Sequence, residues 1–227
     1  LCEAYRYHSG EQKIRHRAIY FENGFAGRTH GVLAATTSNP SIQRDPYWDH
    51  CDQENSIYLP YPTKANSTLL QKKLSDLDLS TVDRLLIELP CQGEAGIIPA
   101  DEQTLKYLYE VTQNAGIAWI ADCIQCGIGR VGTLFGCDMY PWLKPDILTL
   151  AKALGGGLPI GATIFSSYLD WRKGEHSNTF GGNPVISRLA LTVLACVQEL
   201  IASGAIKKIE QTMHKRLYIL RRHPMVQ

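Results

Sequence analysis

Several features that would classify the chain quickly are missing from it. There is no charge excess: 23 Lys and Arg stand against 22 Asp and Glu, a formal net charge of +1. That is too little for the basic footprint of phosphate-backbone binding, so nucleic acid is not expected as a partner. No uninterrupted apolar run approaches the roughly 20 residues of a membrane span. The opening LCEAYRYHSG lacks the charged, apolar and small-residue succession of a secretory signal. No second C-x-x-C, C-x-x-H or H-x-x-x-H accompanies the C-x-x-C of Cys123 and Cys126, so no metal site is expected. Repeats and low-complexity tracts are absent.

What is present fits an ordinary globular chain. At 227 residues, 44% hydrophobic and 20% charged, it can form one large domain or one domain and part of another. Its seven cysteines, at 2, 51, 91, 123, 126, 137 and 196, are odd in number and scattered through a chain that needs no staples. That pattern implies reduced thiols and a cytoplasmic or organelle-matrix setting. Apolar, β-branched runs alternate with helical patterns, the signature of an α/β layer fold. Strands are expected at Ala18–Phe21, Ser56–Leu59, Arg84–Leu89, Ile117–Asp122, Ile147–Leu150 and Gly161–Phe165. Helices are expected at Thr68–Leu77, Glu102–Asn114 and Val185–Ile201, the last capped by Asn183 with Pro184 in its first turn. A charged helical segment, Ala205–Arg222, follows Gly204, and the chain opens inside another helical pattern, so both ends read as cut.

The stretch DCIQCGIGRVG at 122–132 allows three readings. Gly127, Gly129 and Gly132 spell G-x-G-x-x-G, but a dinucleotide turn follows a strand directly and opens a helix. Here four residues intervene after Asp122, and the sequel is broken by Gly136, Pro141 and Pro145. Cys123 and Cys126 precede a glycine turn rather than a helix start, so they read as packing residues and not as a redox pair. Asp122, ending an apolar run, has company in Gln125, in Lys152 followed by three glycines within TLAKALGGGLPIGA, and in Thr179 within HSNTFGGNP. These are complementary parts for holding an aromatic aldehyde phosphate.

These segments resemble the central signature of the class III, fold-type I pyridoxal-phosphate-dependent aminotransferases. The family writes them D-E-V-Q-T-G-x-G-R-x-G, P-D-I-x-x-x-A-K-x-L-G-G-G-x-P-I-G-A and H-x-x-T-F-G-G-N-P. Upstream, NGFAGRTHG at 23–31 is similar to F-H-G-R-T-x-G, and PCQGEAGIIPAD at 90–101 to E-P-V-Q-G-E-x-G-x-x-P-A. The spelling is nearest the acetylornithine group, with ornithine and 4-aminobutyrate enzymes close behind. The resemblance implies a three-layer αβα large domain on a mostly parallel mixed sheet, truncated at both ends. Residues 1–200 would be its core and 201–227 the start of a C-terminal small domain.

It also implies roles. Lys152 resembles the Schiff-base lysine; a primary amine attacks an aldehyde as a nucleophile. Asp122 resembles the aspartate that pairs with the pyridine nitrogen of pyridoxal 5'-phosphate and keeps the ring an electron sink. Gln125 corresponds to the residue bonding the phenolic oxygen, and Ile124 and Phe25 to those packed on the two ring faces. Thr179 corresponds to a threonine serving the neighbouring subunit's phosphate, which implies a homodimer. Glu94 corresponds to a glutamate near the substrate amine. Arg130 supports the turn, and His30 and His176 read as solvated or packed imidazoles. The implied reaction transfers an amino group from an acetylornithine-like ω-amine to 2-oxoglutarate, in the cytoplasm or mitochondrial matrix. A non-catalytic fragment or dimerisation partner, and a racemase or aminomutase on the same fold, are the alternatives.

Four departures from the pattern stand out. The S-G-x-E-A phosphate loop and the C-terminal arginine that grips the α-carboxylate are absent from these 227 residues. Cys123 replaces the glutamate of D-E-V-Q, which would remove an acidic partner beside the cofactor. Leu89, or a shifted Glu88, stands where the family has the glutamate of E-P-V-Q.

Overall fold

The computed structural model describes residues 1–10, 15–46 and 54–223; Cys51 and residues 224–227 lie outside them. Helix α1 (Cys2–Ser9) leads to strand β1 (Arg17–Phe21), a 3-10 segment at His30–Ala35 and a single turn, α2 (Pro40–Gln43). Then come β2 (Ser56–Leu59), α3 (Ser67–Ser75), β3 (Val82–Glu88), a two-residue ladder of β4 (Cys91–Gln92) with β5 (Ile98–Pro99), and α4 (Glu102–Asn114). Strands β6 (Ala118–Asp122), β7 (Ile147–Leu150) and β8 (Ala162–Phe165) follow, and helices α5 (Pro184–Ala202) and α6 (Ala205–Leu217) close the order.

Six strands make one sheet in the order β2-β1-β3-β6-β7-β8. Every neighbouring pair is parallel except β7 and β8. This is the mostly parallel mixed sheet of an α/β fold. Parallel strands need crossovers, and α3 and α4 provide them while covering one face. Leu70 and Leu74 of α3 and Leu105 and Leu108 of α4 close over Ile19, Leu85, Ile87 and Trp119, each at most 1% exposed. Each such side chain contributes roughly 1.5–3 kcal/mol by leaving water. The Trp119 indole N–H donates to Thr112 Oγ1 at 2.8 Å, so the largest buried side chain leaves no orphaned donor. On the other face, Tyr20 and Leu86 pack with Ala34 and Ala35 of the 3-10 segment.

The expected elements are found with small shifts at their ends. Strand β3 starts earlier, because Val82 already pairs with Arg17, and stops at Glu88, since Pro90 brings no N–H to a ladder. The segment after Gly204 is α-helical to Leu217 and continues as a 3-10 turn to Arg222. Helix α5 starts as expected: Asn183 Oδ1 accepts the N–H groups of Val185 and Ile186. It also corrects the reading of apolar runs. An 18-residue window of this 19-residue helix has a mean hydropathy of 1.8, enough by length and composition to cross a membrane. Its polar residues, Ser187, Arg188, Thr192, Gln198 and Glu199, are spread thinly enough that no single stretch draws the eye. Part of its apolar side packs on glycine turns: Val193 against Gly156 and Val197 against Gly129.

Candidate active site

In open α/β sheets ligands bind beyond the carboxyl ends of the strands, and the chemically interesting side chains of this chain gather there. In the β3–β6 register the terminal residues Glu88 and Asp122 lie opposite each other; one strand further, Asp122 pairs with Thr149 of β7. Both carboxyls are only 7% exposed. A buried carboxyl is costly unless it is hydrogen-bonded, and both are. Asp122 Oδ1 accepts the Ile124 N–H at 3.0 Å. Glu88 Oε1 accepts the Phe25 N–H at 2.9 Å, and Oε2 the Gly93 N–H at 3.2 Å.

The electrostatics follow from that burial. Loss of water pushes the Asp122 carboxyl above its ordinary value, while the Ile124 N–H and the Lys152 ammonium pull it down. Glu88 is pushed up to about 7, mainly by burial; the Phe25 and Gly93 amides oppose the rise, Asp122 adds to it and Lys152 opposes it. Lys152 is thus within electrostatic reach of both carboxyls. It opens the 3-10 turn Lys152–Gly155 that follows β7, in the left-handed region at φ 45°, and it is exposed. A lysine held in that conformation costs backbone energy that a glycine would not.

Of the expected site residues, Asp122, Ile124, Gln125, Phe25 and Lys152 are brought to this one end of the sheet. Gln125 lies in the turn after β6, its amide packed directly on Gly93: a Cβ at Gly93 would collide with Gln125 Oε1. Phe25 is half-buried in a loop whose neighbouring amides are also fixed, Gly24 N–H to Thr37 Oγ1 at 2.8 Å and Ala26 N–H to Thr36 Oγ1 at 3.1 Å. Glu94 is exposed in the turn beside Gly93. Thr179 is not joined to the cluster by any hydrogen bond found among the described residues. It is exposed, next to Phe180 at 81% exposure, in the turn before α5. Arg130 is exposed in the glycine turn, and His176 stacks on Trp171 at 4.4 Å.

Two expectations need correction or addition. Cys123 does not stand beside the site. It is 1% exposed within the main core, its thiol facing the Leu89 carbonyl at 3.8 Å, so in this chain the side chain at 123 is a packing residue. Cys126 meets Cys91, with sulfurs 3.4 Å apart, so the C-x-x-C is not a unit. Among the described residues no group of His, Cys, Asp and Glu could hold a metal. Glu88, by contrast, matches the family pattern only as a shifted relative of its glutamate. The available signal was a carboxylate at the end of the apolar run RLLIELP in a central strand. Of two cavities, about 440 and 350 Å³, neither is lined by Asp122 or Lys152, and the second reaches Thr149 of β7.

A mostly parallel sheet with a buried carboxylate and a lysine at the ends of neighbouring strands is the architecture of an α/β protein with a ledge for a small molecule. The comparisons narrow it. The sequence matches the family Aminotransferase class-III over residues 1–227, and the chain belongs to that family. It is 38% identical over 186 residues to an acetylornithine aminotransferase of Clostridium acetobutylicum, covering 78% of this chain and 43% of that protein. With a probable mitochondrial acetylornithine aminotransferase of Schizosaccharomyces pombe it shares 35% over 215 residues, 93% of this chain and 44% of the relative. Among solved structures, a PLP-bound amine transaminase from an uncultivated Pseudomonas species superposes with a TM-score of 0.82 at 25% identity, covering 96% of this chain and 53% of that one. A Bacillus anthracis aminotransferase gives 0.81 at 25%, covering 99% and 54%. The chain spans a little under half the length of the curated relatives it matches.

Proposed function

We propose that the chain is the cofactor-binding part of a pyridoxal-phosphate-dependent aminotransferase that moves an amino group from an acetylornithine-like ω-amine to 2-oxoglutarate. The observation that carries this reading is the placement of buried Asp122 at the end of β6, within electrostatic reach of Lys152 just beyond the end of the adjacent β7. A carboxylate and an amine so placed fit the two polar ends of a pyridine aldehyde, its ring nitrogen and its aldehyde carbon. The acetylornithine names of relatives at 35–38% identity support the choice of donor.

When bound, the cofactor supplies a protonated pyridine ring that accepts the electron pair left on a substrate carbon as its proton departs. Asp122 would hold the proton on the ring nitrogen, and its burial would strengthen that interaction because water does not compete for the carboxylate. Lys152 Nζ would be the amine that meets the aldehyde carbon. Gln125 would bond the phenolic oxygen, Phe25 and Ile124 would cover the ring faces, and Glu94 would meet the substrate amine. Thr179 would serve a second copy's phosphate, making the assembly a homodimer. Residues 1–200 would be the large-domain core and 201–227 the opening of the small domain. The setting would be cytoplasmic or mitochondrial, as the name of the yeast relative suggests.

Mixing the purified full chain with pyridoxal phosphate tests this. A visible absorbance band that borohydride converts to a stable adduct on Lys152 is expected, with the adduct lost in Lys152→Ala. Asp122→Asn should keep the adduct and lower the half-reaction rate with acetylornithine by at least about a hundredfold, the loss of a transition-state charge interaction. A wild-type chain that gives no band sinks the reading and favours a non-catalytic partner.

A further inference from the structure

We infer that Glu88 is a positioning residue: its two carboxyl oxygens hold the Phe25 loop and the Gly93 turn at the strand end that carries Asp122. Through them it fixes Phe25 and Gln125 in the cofactor site. The inference rests on the reading of this ledge as that site.

The geometry has three parts. First, Glu88 is only 7% exposed, and by strand alternation it stands on the sheet face of Leu86, opposite that of Leu85 and Ile87. A carboxyl there is tolerated because its oxygens are used. Second, the two bonds join segments distant from each other in the chain, Phe25 being 63 residues from Glu88 and Gly93 five. The amides of Gly24, Phe25 and Ala26 are each met by a side chain, and of these three side chains only Glu88 belongs to a strand of the sheet; the Gly24 N–H also reaches the Phe21 carbonyl at the end of β1. Third, Gly93 is where the Gln125 amide rests, so moving the Gly93 turn moves the surface under Gln125. The charged and titratable groups around Glu88 are Asp122 from β6, Lys152 after β7, Cys91 of β4, Tyr61 after β2 and Cys126 in the turn after β6.

Two variants of the full chain test the clamp without relying on activity. Glu88→Leu removes both acceptors; Glu88→Gln keeps one acceptor and turns an amide donor toward the other N–H. Amide hydrogen exchange read by mass spectrometry, without cofactor, should accelerate at least about tenfold in peptides spanning 22–28 and 90–96 in Glu88→Leu. Glu88→Gln should restore part of the protection, and peptides from Ile147–Leu150 should stay slow in both. If Glu88→Leu unfolds globally, those control peptides will show it, and Glu88→Gln then decides alone. Titration with pyridoxal phosphate adds a second readout: Glu88→Gln should weaken binding about tenfold and remove an inflection near pH 7. Wild-type exchange at both segments overturns the clamp. Altered exchange with unchanged cofactor affinity overturns its role in the site. A wild-type chain that never binds the cofactor refutes the function proposed above, whatever the exchange shows.

Discussion

Raising the pH from 5 to 8 should weaken the fold through one residue, Glu88. Its carboxyl is pushed up to about 7 in the folded chain against an ordinary 4.5, chiefly because burial penalises the charged form. A carboxyl raised on folding prefers to be protonated in the native state. Its contribution is therefore complete below pH 4.5 and is lost as pH climbs through 7. The gap corresponds to a ceiling of roughly 3 kcal/mol. Because the group keeps some access to water, about 2 kcal/mol is the better expectation. That is a sizeable share of the 5–15 kcal/mol typical of a domain.

Urea unfolding of wild type and Glu88→Gln at pH 5, 6, 7 and 8 reads the effect. Wild type should lose about 2 kcal/mol more than the variant across that window, most of it between pH 5 and 7. The comparison reads Glu88 together with its coupling to Asp122. Asp122 is also raised by burial and loses stability in the same direction, but that burial is common to both proteins. Parallel curves would show that the two amide bonds from Phe25 and Gly93 cancel the burial penalty. A steeper loss in the variant would reverse the sign and refute the argument.

Two further substitutions bear on the same ledge. Lys152 sits at φ 45°, where a side chain costs about 1 kcal/mol, so Lys152→Gly should be about 1 kcal/mol more stable to urea than Lys152→Ala while both lose the borohydride adduct; equal stabilities would show no stored strain. Gly93→Ala should change stability by less than about 1 kcal/mol, because the Gln125 amide can swing away, yet weaken pyridoxal phosphate binding about tenfold; unchanged binding would remove Gln125 from the site.

Much of the architecture was legible because its determinants are local. Ser56–Leu59, Ile147–Leu150 and Glu102–Asn114 were read to the residue, each bounded by turn or capping residues that act within a few positions: Asp101, for instance, accepts the Thr104 N–H at 3.0 Å. The convergence of Asp122, Gln125, Phe25 and Lys152 was legible for another reason: they belong to motifs whose order implies strand ends, and the parallel register then places those ends side by side. Direction was not legible. Cys123 follows Asp122 in sequence, but alternation along an extended backbone turns its thiol into the core while the carboxyl stays on the ledge, and no count of motif substitutions reveals that rotation.

Glu88 escaped for a deeper reason. Its partners are main-chain N–H groups, which every residue but proline carries, so a sequence cannot say which amides will be left facing a buried strand end. Only the β3–β6 register and the return of residues 24–26 toward β3 select Phe25 and Gly93 as donors. A carboxylate interrupting an apolar strand is therefore best treated as an unpaid desolvation cost whose compensation must be sought in backbone. In this chain that compensation lies where the expected cofactor residues do, and it ties two of their loops to a single buried group.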